Sequence, residues 1–223
     1  MNFYKFKNYL KRNPKIVQTY KKLNDFFQEQ SVNPKIEEVE EINGRNIASY
    51  GENIRLNLII PSVDIKHVFG GIATAIRFFE ELTNNTTIDT RIIVTDSVIN
   101  LDTTIALDGY TLIDSSEDSC LSKQLVGFSD RHNKTIPVAE NDIFIATGWW
   151  TAYGIVSVIR WQTMNYNINL HKLIYFIQDY EPGFYAWSSR YLMADSTYRI
   201  NDIDTIAIFN SKQLKDYFDL KWI

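Results

Sequence analysis

From Ile54 onward, short apolar runs alternate with segments in which apolar residues recur at every third or fourth position. A short apolar run favours a buried strand, and the three-and-four spacing favours one face of a helix. Alternation of the two is typical of βα units, which fold into a parallel sheet covered by helices on both faces. The pattern therefore predicts an α/β fold with a Rossmann-like parallel sheet.

Six strands and four helices are predicted in this region. The strands are expected at 54–60, 91–95, 110–113, 143–147, 172–177 and 205–209. The helices are expected near 71–82, 150–161, 188–194 and 211–220. Residues 96–141 follow a less regular pattern. Asn210, with Gln213 three positions later, fits a capping box for the last helix.

The chain before this region has a different charge. Residues 1–30 carry seven basic and two acidic side chains, a net charge of +5, whereas the whole chain carries −4. Helical spacing predicts two short amphipathic helices here, with the apolar positions Phe3, Phe6, Leu10, Ile16, Tyr20, Leu23 and Phe27. Two uses remain open, contact with an anionic membrane surface and packing against the domain or a partner. Residues 31–53 are acidic and contain turn formers, which predicts a linker to a domain at 54–223.

Composition excludes several classes of protein. Apolar residues make up 45% of the chain and charged residues 22%, as in globular proteins rather than disordered ones. There is no secretory signal pattern and no apolar run of membrane-spanning length, so we expect a cytoplasmic protein, with residues 1–30 as the candidate peripheral contact at the inner membrane face. Cys120 is a single cysteine, which leaves no internal disulfide. The net negative charge argues against nucleic-acid binding.

Ligands of open parallel sheets bind at the carboxyl ends of the strands, so the loops that follow each strand hold the candidate site residues. After the first strand, Gly70 and Gly71 open a helix whose free N–H groups favour an anion. Lys66 and His67 add donors in the same loop. The glycine spacing fits neither the dinucleotide fingerprint nor the P-loop. A tight turn into a closely packed helix is the alternative interpretation.

Two later loops are rich in aromatic and polar side chains. Trp149 and Trp150 follow the fourth strand and are candidates either for a pocket wall or for the core. The fifth strand leads into a run of polar and aromatic residues, Gln178-Asp179-Tyr180-Glu181-Pro182-Gly183-Phe184-Tyr185, and Arg190 lies just beyond it. Carboxylates at this position are suited to binding hydroxyls or to acting as a base.

Metal binding is not expected. Asp202 and Asp204 have the D-x-D form that holds a metal in some nucleotide-sugar enzymes, but they precede a strand and so lie at the wrong end of the sheet. The three histidines, His67, His132 and His171, show no i, i+4 pairing typical of a zinc site.

At these loops the sequence resembles the N-terminal domain of GT-B fold glycosyltransferases of glycosyltransferase family 4, and more closely the bacterial rhamnosyltransferases related to WsaF. The similarity covers about residues 54–220. It is carried by four runs: IIPS at 59–62, FGGIATA at 69–75, ATGWWTA at 146–152 and YFIQDYEPGFY at 175–185.

The resemblance implies a function and its residues. In that family two Rossmann-like domains face each other, the N-terminal one holding the acceptor and the C-terminal one the nucleotide-sugar donor. It implies dTDP-rhamnose as the donor and a growing cell-surface glycan or lipid-linked sugar as the acceptor, with retained anomeric configuration and neither metal nor cofactor. The roles implied are catalysis for Asp179 and Glu181, donor diphosphate binding for Gly70, Gly71 and His67, and acceptor binding for Trp149, Trp150, Gln178, Tyr180 and Arg190.

The sequence stops at Ile223, before a donor domain, so we expect no transferase activity from this chain alone. Two other functions remain open. One is a non-catalytic module that binds a glycan or a partner enzyme. The other is a Rossmann-like enzyme acting on a small phosphorylated substrate through Gly70 and Gly71.

Overall fold

The computed structural model describes residues 41–47, 53–68, 70–132, 134–169 and 171–222. The predicted amphipathic segment 1–30 lies outside the described residues, and so do residues 31–40 and 48–52 of the predicted linker. The described strands are β1 Asn43–Asn46, β2 Arg55–Ile60, β3 Asp89–Val94, β4 Thr111–Ile113, β5 Lys123–Gly127, β6 Thr135–Val138, β7 Asp142–Ala146, β8 Leu173–Ile177 and β9 Thr205–Phe209. The α-helices are α1 Gly71–Thr83, α2 Trp149–Tyr166, α3 Ser189–Ser196 and α4 Lys212–Trp222, with a 3₁₀ helix at Glu181–Phe184.

Seven strands form one sheet in the order β4-β5-β3-β2-β7-β8-β9, and every pair in it is parallel. β2, β3 and β7 are almost wholly buried because helices cover both faces of the sheet. This confirms the predicted Rossmann-like α/β fold. Each of the six predicted strands is present, with ends within two residues of those expected.

Three strands were not predicted, and their sequences explain why. β1 has no apolar residue, β5 contains the buried Gln124, and β6 contains Pro137. β1 and β6 pair in parallel as a separate two-stranded sheet. β1 lies within the range predicted as a linker, and Ile42 just before it is buried and hydrogen bonded to Gly154 of α2.

The amino ends of the central strands are linked by hydrogen bonds and ion pairs among Arg55, Arg91 and Asp142. We call these three residues the amino-edge ion cluster. Asp142 accepts two hydrogen bonds from Arg55, both at 2.7 Å, and a longer contact from Arg91 at 3.4 Å. Arg91 also donates to the carbonyl of Pro137 at 2.8 Å. All three side chains are essentially fully buried. The cluster joins β2, β3, β7 and β6 at the edge opposite to the predicted site.

The helices follow the predicted pattern with one correction at a helix start. Ser211, not Asn210, caps α4, since its hydroxyl accepts from the Leu214 amide at 3.2 Å. Asn210 instead donates to the carbonyl of Gln178 at 3.0 Å. Among the described helices, none is long and apolar enough to cross a membrane.

Candidate functional site

The strand order places a topological switch point between β2 and β7. The chain runs from β2 to β3 on one side, and later returns to β7 on the other side of β2. Loops that leave two such strands diverge and open a crevice at their carboxyl ends, which is where ligands of this fold bind. We call this position the switch-point crevice. Residues 61–68 and Gly70 follow β2 there, and residues 147–148 follow β7.

The N-terminus of α1 at this crevice is open. Gly70 precedes the helix with a φ of 52°, a conformation that favours glycine. No side chain caps the helix, and its first turn contains no acidic residue. The amides of the first turn therefore present unneutralised positive charge, which suits an anion. His67, also predicted to bind the donor diphosphate, lies in an exposed turn three residues earlier.

The N-terminus of α2 at the same crevice is already filled from inside the protein. The carboxylate of Glu181 accepts a hydrogen bond from the Trp149 amide at 2.6 Å. The hydroxyl of Thr151 accepts from the amides of Thr147 and Gly148, both at 3.0 Å. These oxygens satisfy N–H groups that would otherwise be unpaired at the helix start. Of these two helix starts, α1 is the one that can accept an external anion.

Glu181 occupies an apolar, aromatic environment. It is 8% exposed, and the hydroxyl of Tyr175 donates to its carboxylate at 3.3 Å. Tyr198 stacks on Tyr175 with ring centres 5.4 Å apart, and its hydroxyl accepts from the Glu181 amide at 3.4 Å. Burial raises the pKa of Glu181 to about 7, against the opposing effect of the Trp149 hydrogen bond. The carboxyl group of Glu181 therefore changes between its neutral and its charged form near neutral pH.

Gln178 connects the loops that follow β2, β7 and β8. Its side-chain amide donates to the carbonyl of Thr147 at 2.8 Å. Its side-chain oxygen lies against Gly71, where an added Cβ atom would be only 1.4 Å away. Gly71 is therefore required for close approach to Gln178, whereas Gly70 is required for its backbone conformation. Gln178 was predicted to bind the acceptor, and in this structure its amide supports the crevice.

A side-chain bridge that the sequence analysis missed crosses the end of β2. The indole N–H of Trp150 donates to the carboxylate of Asp96 at 2.9 Å. Asp96 follows β3 and Trp150 follows β7, and these strands lie on opposite sides of β2. Asp96 is exposed, and its second carboxylate oxygen has no hydrogen-bond partner among the described residues. Its position just after a strand was the available signal, but the irregular pattern of 96–141 obscured it.

The remaining predicted site residues divide into buried and exposed ones. Trp149 is fully buried, and its indole N–H donates to the Tyr185 hydroxyl at 3.0 Å, so its ring has no surface for a ligand in this conformation. The Tyr180 hydroxyl donates to Asp195 at 2.9 Å. Asp179 and Arg190 are exposed. Asp179 therefore keeps a carboxylate available to a ligand. Glu181 and Trp149 are buried and hydrogen bonded to each other, and they hold the start of α2 in place.

The described residues contain no group of three or more His, Cys, Asp or Glu side chains that could hold a metal. Asp202, one of the two aspartates in the D-x-D form, pairs with Arg160 through two hydrogen bonds of 2.7 and 2.8 Å. This surface ion pair explains the presence of Asp202 without a metal ion.

Comparison with known proteins assigns the family. No curated protein matches the chain. Residues 55–212, well over half of the chain, match the family described as WsaF, N-terminal domain. The matched range includes the sheet from β2 to β9, both helix starts at the switch-point crevice and the Asp96–Trp150 bridge. The chain belongs to the WsaF N-terminal domain family and contains a glycosyltransferase-related domain.

Proposed function

We propose that this domain is the acceptor-side half of a retaining rhamnosyltransferase, which transfers rhamnose from dTDP-rhamnose to a growing cell-surface or lipid-linked glycan. The observation that carries the proposal is the uncapped N-terminus of α1 at the switch-point crevice. It offers an anion site beside exposed carboxylates that can accept hydrogen bonds from sugar hydroxyls. The family assignment supports glycosyl transfer as the chemistry.

The donor diphosphate would lie at the start of α1. The backbone is open to a ligand at Gly70, where nothing lies within 4 Å of an added Cβ atom, and the N–H groups of the first turn would donate to the phosphate oxygens. As the sugar leaves, negative charge grows on the diphosphate, and these donors stabilise it most at that stage. The other contacts of the nucleotide would come from the donor-binding domain that enzymes of this fold use.

The acceptor would bind along the exposed carboxylates of the crevice. Asp96 offers its unpartnered oxygen to a sugar hydroxyl, and Trp150 holds that carboxylate in place. Asp179 offers a second exposed carboxylate at the end of β8. Glu181 acts as a positioning residue, since it fixes the start of α2 and through it Trp150.

The proposed transfer breaks the bond between the anomeric carbon of rhamnose and the diphosphate oxygen. The oxygen of the acceptor hydroxyl forms the new bond to that carbon, and the hydroxyl proton passes to the leaving diphosphate. This step needs no base from the protein, so the protein's part is positioning and charge stabilisation.

The test combines the full chain with the donor-binding domain of a WsaF-type protein and supplies dTDP-rhamnose labelled in the sugar. Lipid-linked glycans isolated from bacteria that make rhamnose-containing surface polymers serve as acceptors. We expect label in the glycan only when both proteins and the acceptor are present. The Asp96→Asn variant should lower this transfer, whereas Asp219→Asn, on the surface of α4, should not.

Two outcomes would overturn the proposal. Glycan binding to the chain without label transfer, under conditions where an intact WsaF-type enzyme is active, would identify a binding module. Tight binding of inorganic phosphate or a small sugar phosphate, with no glycan binding, would identify an enzyme of phosphorylated small molecules.

A further inference from the structure

A second cavity opens on the same edge of the sheet, away from the switch-point crevice. It has a volume of about 380 Å³ and lies at the carboxyl ends of β4 and β5. Its walls come from the segments that follow β3, β4 and β5, and include Ile99, Leu112, Asp114, Ser115, Ser129 and Asp130. This volume falls within the range of small-molecule sites.

One hydroxyl at this cavity is open to the cavity and is not used by the described part of the chain. Ser115 is 5% exposed and lines the cavity, yet its hydroxyl makes no hydrogen bond with the described part of the chain. Because this hydroxyl is accessible from the cavity, it can donate to or accept from a bound ligand. A ligand hydroxyl in the cavity would form a hydrogen bond with it.

Two carboxylates of the lining, those of Asp114 and Asp130, accept hydrogen bonds, and Ser129 and Lys134 add donors. Asp114 uses one carboxylate oxygen for the Ser116 amide and hydroxyl, and leaves the other oxygen open. These two hydrogen bonds lower the pKa of Asp114, so it remains a charged acceptor at neutral pH. Asp130 pairs through one oxygen with Lys134. The charged side chains of the lining leave one net negative charge, which disfavours phosphate and other anions.

The cavity lining also has apolar side chains on which a ligand could pack. Leu112 is 42% exposed and Val98 is 82% exposed, so both present apolar surface at the cavity. An uncharged sugar ring matches this lining, since its hydroxyls donate to carboxylates and its C–H faces pack on apolar side chains. We infer that this cavity is a saccharide subsite that holds an uncharged sugar unit of the acceptor remote from the reacting one.

The position of the cavity fits an extended acceptor. Val98 and Ile99 line it, and Asp96 of the switch-point crevice lies in the same segment after β3. β5 is two strands from β2 in the sheet, which is a distance of about 10 Å. An oligosaccharide could therefore contact both places at once. The role of the sugar as part of the acceptor rests on the proposed function, whereas saccharide binding by the cavity does not.

The experiment measures binding in the full chain without a donor. The methyl groups of Ile99, Leu112 and Val98 are observed by NMR while L-rhamnose, D-glucose, D-galactose or N-acetylglucosamine is added. We expect at least one sugar to shift these signals in a saturable manner. Inorganic phosphate, added as the anionic probe, should leave them unchanged.

Variants test the polar contacts separately from the fold. Ser115→Ala removes a hydroxyl that makes no hydrogen bond with the described part of the chain, so the fold should persist while sugar affinity falls about tenfold. Asp130→Asn should weaken binding in the same way. Asp102→Asn, an exposed carboxylate outside the cavity, should leave the affinity unchanged.

Two results of the titration would overturn the inference: none of the four sugars shifts the methyl signals of the cavity residues, or phosphate shifts them more than any sugar does. Sugar binding by Ser115→Ala and Asp130→Asn with the affinity of the wild type would overturn it as well. Binding of a sugar at the cavity together with a failed transfer assay would leave the subsite in place and overturn the proposed transferase function alone.

Discussion

The carboxylate of Glu181 accepts a hydrogen bond from the amide of Trp149 at 2.6 Å and thereby caps α2 from the loop after β8. This contact joins two segments that are 32 residues apart in sequence. It also fills a helix start that would otherwise attract an anion, and so leaves α1 as the open anion site of the two helix starts at the crevice.

Stability should fall as pH rises through the titration of Glu181. Burial raises its pKa from the ordinary 4.5 to about 7, so the folded protein binds this proton more tightly than the unfolded chain does. The resulting stabilisation is complete below pH 4.5 and is lost as pH rises through about 7, a decrease of roughly 3 kcal/mol. Denaturant unfolding at several pH values measures this decrease.

The variant Glu181→Gln isolates this effect. It should lack this part of the pH dependence, because its amide stays neutral and still accepts from Trp149. Asp179→Asn removes an exposed carboxylate two residues away and should retain the wild-type dependence. Equal slopes for wild type and Glu181→Gln between pH 5 and 8 would contradict the assignment.

Substitution of Gly71 should act through Gln178. The new methyl group of Gly71→Ala would overlap the Gln178 side chain, which must move and give up its hydrogen bond to Thr147. We expect a loss of about 1 kcal/mol in unfolding free energy and a shifted Gln178 side-chain amide signal in NMR spectra.

Gly70→Ala is the matched control for this prediction. It should cost about 1 to 3 kcal/mol through strain at φ 52° and ψ −114° and leave the Gln178 signal in place, because nothing lies within 4 Å of its added Cβ. A Gln178 signal that is unchanged in Gly71→Ala would refute the proposed clash.

Loss of the bridge between Asp96 and Trp150 should weaken glycan binding more than it weakens the fold. Trp150→Phe keeps an aromatic ring but removes the indole N–H that holds the carboxylate. A hydrogen bond at an exposed site contributes about 0.5 to 1 kcal/mol to stability. We expect glycan affinity, measured by calorimetry, to fall about tenfold through the mobile carboxylate.

Trp187→Phe, at a tryptophan that is 77% exposed outside the bridge, provides the comparison and should bind as the wild type does. An equal loss in both variants would assign the effect to general aromatic contact instead of to the bridge.

The amino-edge ion cluster should be essential to stability. Asp142→Ala leaves Arg55 and Arg91 buried without the carboxylate that both contact, and we expect a cost of about 3 to 5 kcal/mol. Asp202→Ala breaks the exposed pair with Arg160 and should cost less than about 1 kcal/mol. Thermal unfolding of the two variants provides the comparison; similar melting temperatures would show that the buried cluster contributes little.

Apolar periodicity predicted the alternation of strands and helices from Ile54 onward, because this pattern depends on local spacing. It also located the loops after β2, β7 and β8, since residues at the ends of strands can be identified once the strands are assigned. It missed β1, β5 and β6, whose residues are polar or include proline and are stabilised by partners distant in sequence, as Arg55 and Arg91 stabilise the carbonyl of Pro137.

The part that each candidate residue plays depends on the folded arrangement of the loops and could not be predicted from the sequence. Glu181 and Asp179 are two positions apart and equally plausible in sequence, but folding buries the first beneath α2 and leaves the second exposed. Trp149 and Trp150 are adjacent, yet one enters the core and the other reaches Asp96. The reason is that side-chain direction depends on where each helix packs against the sheet, and that packing involves residues far apart in the chain.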